Sequence, residues 1–193
     1  MPEVAPLEPQ PVLPPGTLTL SPRLRLTVPP PLAWVRLQLS ARELAAAPAA
    51  LRVGGIPLPD RINRWAGPIP VICRIAPDLW MLQASGMEPA RLVAMTATAC
   101  TGRAGAITDL SDALATIALT GDDATALLAR GCGLDLSPAA FPPDACTRTR
   151  FAQLAVLVRR TAIDGYELTV EASAARWLYD WLVDAAAGLD HRE

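Results

Sequence analysis

The sequence contains no lysine, so all seventeen basic side chains are arginines. Nineteen acidic residues oppose them, and the formal net charge is -2. That balance does not point to a general nucleic-acid binder, which carries an excess of positive charge. Arginine suits planar, partly buried ion pairs better than lysine does, which points toward an interface protein. Histidine is nearly absent too: His191 is the single one. The four cysteines, Cys73, Cys100, Cys132 and Cys146, do not fall at zinc-ligand spacings, so a metal site lacks ligands. A cysteine nucleophile would need a base, and His191 near the chain end is the one candidate. The cysteines therefore read as reduced and mostly buried, with disulfides left open.

Other absences narrow the reading further. No apolar run approaches the roughly 20 residues of a membrane helix. The N-terminal residues lack a basic region and a sustained apolar core, so no signal peptide is expected and the expected location is the cytoplasm. There is no GxGxxG and no Walker-A sequence. Gly131-Cys132-Gly133 follows a helix instead of opening one, the wrong end for binding an anion.

What is present is a core. Over 193 residues the hydrophobic fraction is 51%, enough for one larger domain or two small ones in contact. Many of the twenty prolines lie toward the N-terminus, so residues 1–16 read as an extended arm. Residues 17–28 alternate as a strand, broken at Ser21-Pro22. Residues 32–40 alternate again, with Ala33, Val35, Leu37 and Leu39 as the buried face. A short helix capped by Ser40, with Glu43 at the capping-box position, follows. Loops and short strands occupy residues 51–70, then a hairpin pairs 71–75 with 79–83. Residues 87–102 suit a helix opened by Glu88-Pro89. Residues 104–112 and 113–121 read as two strands or one bent strand. The helix after Gly121 buries Ala124, Leu127 and Leu128 and stops at Gly131. An irregular proline-rich segment leads to an expected strand over 151–160, a turn, and a partner strand over 166–170. A last helix carries Trp177, Leu178, Trp181, Leu182 and Ala185 as its stripe and ends at Gly188. The class is α+β, with antiparallel or mixed sheets and helices packed on one face. Residues 17–102 and 103–188 are the expected subdomains, and 189–193 a tail.

The densest stretch is 108–150. Asp122 and Asp123 read as helix-start residues, and Asp109 and Asp112 as turn residues. Asp135 is expected to accept a hydrogen bond or pair with Arg148 or Arg150. Those arginines read as ion-pair partners inside the protein or across an interface, or as a carboxylate or phosphate site. Cys132, Phe141 and Cys146 read as packed or interface residues that lock the crossover. Trp177 and Trp181 serve core packing or an interface.

Several motifs carry a family resemblance. Gly131-Cys132-Gly133-Leu134-Asp135-Leu136, Phe141-Pro142-Pro143 with Cys146, Thr149 and Arg150, and the Trp177–Trp181 helix resemble the gamma subunits of heterotetrameric sarcosine oxidases. So does Ala76-Pro77-Asp78-Leu79-Trp80-Met81-Leu82 upstream. The likeness covers about residues 76–187. It departs at Glu171-Ala172-Ser173-Ala174, where the family commonly has Arg-Ser-Phe/Tyr-Ala, and at Gly133, where proline is frequent. The resemblance implies part of an aminomethyltransferase fold and an assembly role beside a large alpha subunit, with beta and delta subunits. It implies no catalytic, cofactor or metal site in this chain. FAD, FMN, NAD and tetrahydrofolate, and a zinc ion, would belong to the partners of a complex that oxidatively demethylates sarcosine. A small folate-binding or folate-dependent aminomethyltransferase-like protein, and a scaffold for another N-methyl amino-acid dehydrogenase, are the alternatives.

Overall fold

The computed structural model describes residues 10–45 and 50–189. The first nine residues of the expected arm and His191 in the expected tail therefore lie outside the described residues. Within the arm, Leu13 is already buried in the core.

The alternation in residues 17–28 folds as a hairpin. β1 (Gly16–Ser21) and β2 (Leu24–Val28) pair antiparallel, Leu18 opposite Leu26. Pro22 sits in the turn, where no ladder donor is needed. β3 (Ala33–Leu39) buries Ala33, Val35, Leu37 and Leu39, as its pattern requires. In α1 (Ala41–Ala45) the Glu43 amide donates to Ser40 Oγ at 3.5 Å, while the Glu43 carboxylate pairs with Arg103 at 3.2 Å. Only half of the capping box forms. The short β4 (Arg52–Val53), β5 (Ile56–Pro57) and β6 (Arg64–Ala66) precede the hairpin of β7 (Val71–Ala76) and β8 (Leu79–Ala84). In α2 (Pro89–Ala99), Pro89 occupies the first turn, and Leu92 and Thr96 are buried. β9 (Gly105–Asp109) and β10 (Leu114–Thr120) are separate strands in different sheets. α3 (Ala124–Gly131) buries Ala124, Leu127 and Leu128.

The last third differs from expectation in two places. The strand expected over 151–160 begins at Leu154, as β12 (Leu154–Ala162), and an unexpected β11 (Cys146–Phe151) pairs with it in a hairpin. Its two-residue turn is Ala152-Gln153, with φ of 43° and 75°. Left-handed φ at two non-glycine residues gives no sequence signal, because Asn-Gly is the usual signature. The Ala152 amide donates to Gly131 O at 2.7 Å and ties the turn to α3. The segment read as irregular thus ends in a strand built on Thr147-Arg148-Thr149-Arg150. β12 then pairs with β13 (Gly165–Glu171), where Tyr166, Leu168 and Val170 share the buried face. In α4 (Ala172–Ala187) the buried stripe is Ala175, Leu178, Leu182 and Ala186. The expected stripe through Trp177 and Trp181 is rotated: Trp177 is 49% exposed, and small alanines face the sheet instead. Gly188 caps the helix.

Two antiparallel sheets organise these elements. The six-stranded sheet has the order β1-β2-β10-β13-β12-β11, and the five-stranded one β6-β7-β8-β3-β9. α3 and α4 pack on the outer face of the first through Leu127, Leu178, Leu182, Ile117 and Leu168. α2 packs on the outer face of the second through Leu92 against Val35, Leu37 and Leu82. The inner faces meet in a seam holding Trp34, Cys73, Met81, Cys146 and Leu157. The expected boundary at residues 102 and 103 does not separate these layers. β1 and β2 join the C-terminal strands, and β9 closes the N-terminal sheet.

Candidate functional site

The segment between α3 and β11 is held by a residue that sequence reading passed over. Arg160 continues the alternation of Val156 and Val158, which places it on the helix-covered face of β12. It is 2% exposed and meets no carboxylate among the described residues. Instead it donates to four main-chain oxygens. Nη1 reaches Leu136 O at 3.0 Å and Phe141 O at 2.7 Å, Nε reaches Ala162 O at 3.1 Å, and Nη2 reaches Ile163 O. Its guanidinium lies over the Tyr166 ring, 5.2 Å from the centroid. The planar five-donor fork of arginine suits this arrangement, and lysine would not. The signal in the sequence was a charge at a position the alternation assigns to the core.

Around that strut each expected residue finds its place. Cys132 caps α3 in extended conformation, its amide donating to Leu128 O at 3.2 Å. Gly131 is the last helical residue and not a left-handed stop. A Cβ there would overlap the Phe151 ring, so glycine serves close packing. Asp135 does not pair with Arg148 or Arg150 in the structure; its Oδ1 accepts from the Ser137 amide at 2.9 Å. That backbone hydrogen bond holds its carboxyl below the usual carboxylate range. Phe141 is buried, and its amide donates to Ser137 O at 2.8 Å. Phe151 meets Trp181 edge-on, with ring centroids 5.1 Å apart. Trp181 is therefore a packing residue, while Trp177 faces outward.

A second knot joins the two sheets. Arg159, beside Arg160 but on the seam face, pairs with Glu167 at 2.6 Å and donates to Gln83 Oε1 at 3.3 Å. It stacks 4.6 Å from the Trp65 ring centroid. The Trp65 indole N–H in turn donates to Pro143 O at 2.9 Å and Arg160 O at 3.0 Å. Trp65 thus links the N-terminal sheet to the crossover, a contact across 95 residues of chain that no local pattern announces.

All four cysteines are free thiols. Cys146 is buried in the seam with Cys73. Hydrogen bonding with the Cys73 thiol, then burial, push the Cys146 thiol well above the ordinary range. A thiol held protonated is a poor nucleophile. Arg148 and Arg150 project from β11 as exposed residues on the same face as Cys146. Among the described residues, no group of three or more His, Cys, Asp or Glu is arranged to hold a metal ion. No helix among them is long and apolar enough to cross a membrane.

Residues 70–193 match the family model of the GCVT N-terminal domain. The sarcosine oxidase subunit gamma of Corynebacterium sp. (strain P-1) is 29% identical over 133 residues, which is 68% of this chain and 64% of that protein. The match therefore spans a little less than two thirds of that relative's length. The subunit of the same name from Arthrobacter sp is 29% identical over 143 residues, 73% of this chain and 68% of that one. Among solved structures, a chain of the heterotetrameric sarcosine oxidase from Corynebacterium sp. U-96, in complex with pyrrole 2-carboxylate, superposes with a TM-score of 0.78. It is 26% identical, and 88% of this chain covers 87% of that one. The glycine cleavage system aminomethyltransferase T from Bartonella henselae gives a TM-score of 0.55 at 21% identity, covering 79% of this chain and 43% of that one. The second likeness concerns the fold alone.

Proposed function

The chain belongs to the GCVT N-terminal domain family, and from that membership we propose that it is a non-catalytic, gamma-type assembly subunit of a sarcosine-oxidase-like flavoenzyme complex. The observation that carries the reading is the superposition on a chain of a heterotetrameric sarcosine oxidase over most of both chains. The site chemistry agrees with it. The best-built polar centres, around Arg160 and Arg159, are spent on main-chain oxygens and on an internal carboxylate. They hold the crossover rigid and offer no acid, base or nucleophile to a substrate.

In this reading the partner is a large alpha-type subunit, accompanied by beta- and delta-type subunits, in the cytoplasm. The flavin, NAD and folate chemistry of N-methyl oxidation belongs to those partners. The exposed Trp177, Arg148 and Arg150 are the residues of this chain best placed to meet them. A scaffold role for another N-methyl amino-acid dehydrogenase uses the same surface and differs in the partner. Affinity purification of the tagged chain from its native cell, with mass spectrometry, tests the proposal. Recovery with a large flavoprotein is expected, and recovery of the chain alone overturns it.

A folate-binding or folate-dependent aminomethyltransferase-like role is the second reading. In its favour, Arg148 lines a cleft between the two sheets. Calorimetric titration of the isolated chain with tetrahydrofolate decides it, since absence of saturable heat removes the idea.

A further inference from the structure

At one end the seam opens into a cleft of about 480 Å³ whose walls come from different sheets. Arg36 of β3 stands on one wall and Arg148 of β11 on the other, over a floor that includes Met81, Leu110, Leu114 and Leu157. Leu110 and Leu114 are only half-buried, so the floor keeps apolar surface in contact with water.

Three of the arginines on the seam side differ in how they are satisfied. Arg159, away from this cleft, has Glu167, Gln83 and Trp65 around it. Arg36 makes a single long hydrogen bond, Nη2 to Thr108 Oγ1 at 3.4 Å. The Arg148 side chain has no hydrogen bond and no ion pair among the described residues. Glu171 also lines the cleft and pairs with neither arginine. Two cations against one carboxylate leave the rim positive, above an apolar floor. That combination asks for a negative group attached to an apolar body, which is the rim-and-core anatomy of a protein interface.

We propose that this cleft receives an acidic-apolar segment of the large partner subunit. An Asp or Glu of that segment pairs with Arg36 and Arg148, and a neighbouring large apolar side chain covers Leu110 and Leu114. Both arginines are exposed, so a carboxylate arriving on a small diffusing ligand would meet them in screened, high-dielectric surroundings. A partner chain that covers the rim excludes that water and strengthens the same pairs. The inference rests on the reading of the chain as a subunit.

The test is co-expression of the tagged chain with the large subunit of its native complex. It compares wild type, the double variant R36E/R148E, and R25E, which reverses an exposed arginine on β2 away from the cleft. The double variant is expected to retain about tenfold less large subunit at 0.15 M salt, as reversing interfacial charges does, while R25E behaves as wild type. The thermal midpoint of R36E/R148E as an isolated chain is expected to stay at the wild-type value, because neither arginine has an ion pair to lose among the described residues. Undiminished capture by R36E/R148E overturns the cleft assignment while leaving the subunit reading intact. Saturable tetrahydrofolate binding by the isolated chain, abolished in R148E, also overturns it by making the cleft a small-molecule site. If wild type captures no large subunit, the subunit reading itself fails and the cleft assignment falls with it.

Discussion

The six-stranded sheet has two faces of opposite character. Its helix-covered face is built from Leu24, Leu26, Ile117, Leu119, Val156, Val158, Leu168 and Val170, with Leu178 and Leu182 of α4 above. Fully burying each such leucine or valine contributes about 2 kcal/mol. Its seam face carries Thr116, Thr169, Arg148, Arg159 and Glu167, and shares only a small apolar cluster with the other sheet. Thr116 and Thr169 meet hydroxyl to hydroxyl at 3.1 Å, and Arg159 meets Glu167 at 2.6 Å. One face holds the domain together by area. The other selects one arrangement of two sheets by specific polar partners, and leaves its open end for something else.

Arg160 is the exception on the apolar face, and replacing it should give the largest effect. In Arg160→Leu the carbonyls of Leu136, Phe141, Ala162 and Ile163 lose their shared donor inside the fold. Leaving several buried acceptors unpaired costs about 3 kcal/mol even after partial rearrangement. The urea midpoint should fall with an unchanged m-value. A loss below about 1 kcal/mol would mean that the carbonyls find water, and that the crossover does not depend on the strut.

Gly131 tests how tightly the same face is packed. Gly131→Ala puts a methyl into the Phe151 ring, which is itself fixed by Trp181. Overpacking of this kind costs about 2 kcal/mol. Combining it with Phe151→Leu should cost less than the sum of the two single changes, because the second relieves the first. Strict additivity would show that the overlap is absorbed elsewhere.

These two sites also show what the sequence could and could not reveal. The helix-covered faces of both sheets were legible, because period-two and helical stripes announce burial: Val35 and Leu37, Leu127 and Leu128, Leu168 and Val170 all fall where the pattern puts them. The hairpin at Ala152-Gln153 was not, since its left-handed turn uses residues with no turn preference. The stripe expected for α4 holds at Leu178 and Leu182 but fails at Trp177, because tryptophans weigh heavily in a pattern, whereas here Ala175 and Ala186 face the sheet. Of the candidate site residues, Phe141 and Cys146 are buried and Trp181 packs on Phe151. The residues that fix the crossover, Arg160 and Trp65, were missed. Their partners are main-chain oxygens from distant segments, and an acceptor common to every residue leaves no mark in the sequence.

On the seam face the expected loss is smaller. Glu167→Gln keeps the shape but removes the charge that faces Arg159, whose side chain is 9% exposed against 23% for Glu167. Gln83 and the Trp65 ring still accompany the guanidinium, and the glutamate is partly solvated, so about 1 kcal/mol is expected. Thermal unfolding measures it. A double-mutant cycle with Gln83→Leu should show coupling, because both side chains contact the same nitrogen. Independent effects would mean that the seam is held by area, as the outer face is.

Trp177 belongs to neither face, and this sets the smallest stability effect beside the clearest functional one. Its indole lies 49% exposed on α4, four residues before the packed Trp181. Trp177→Ser in the isolated chain should change stability by less than about 0.5 kcal/mol, as surface substitutions do. Trp181→Ser removes the contact with Phe151 and should destabilise clearly. If α4 presents Trp177 to a larger subunit, Trp177→Ser should weaken capture of that subunit while the isolated chain melts normally. Tryptophan at the centre of an interface is the residue type whose truncation costs binding most. Normal melting together with normal capture would show Trp177 to be a lone exposed aromatic, and would leave the cleft at the open end of the seam to carry the contact.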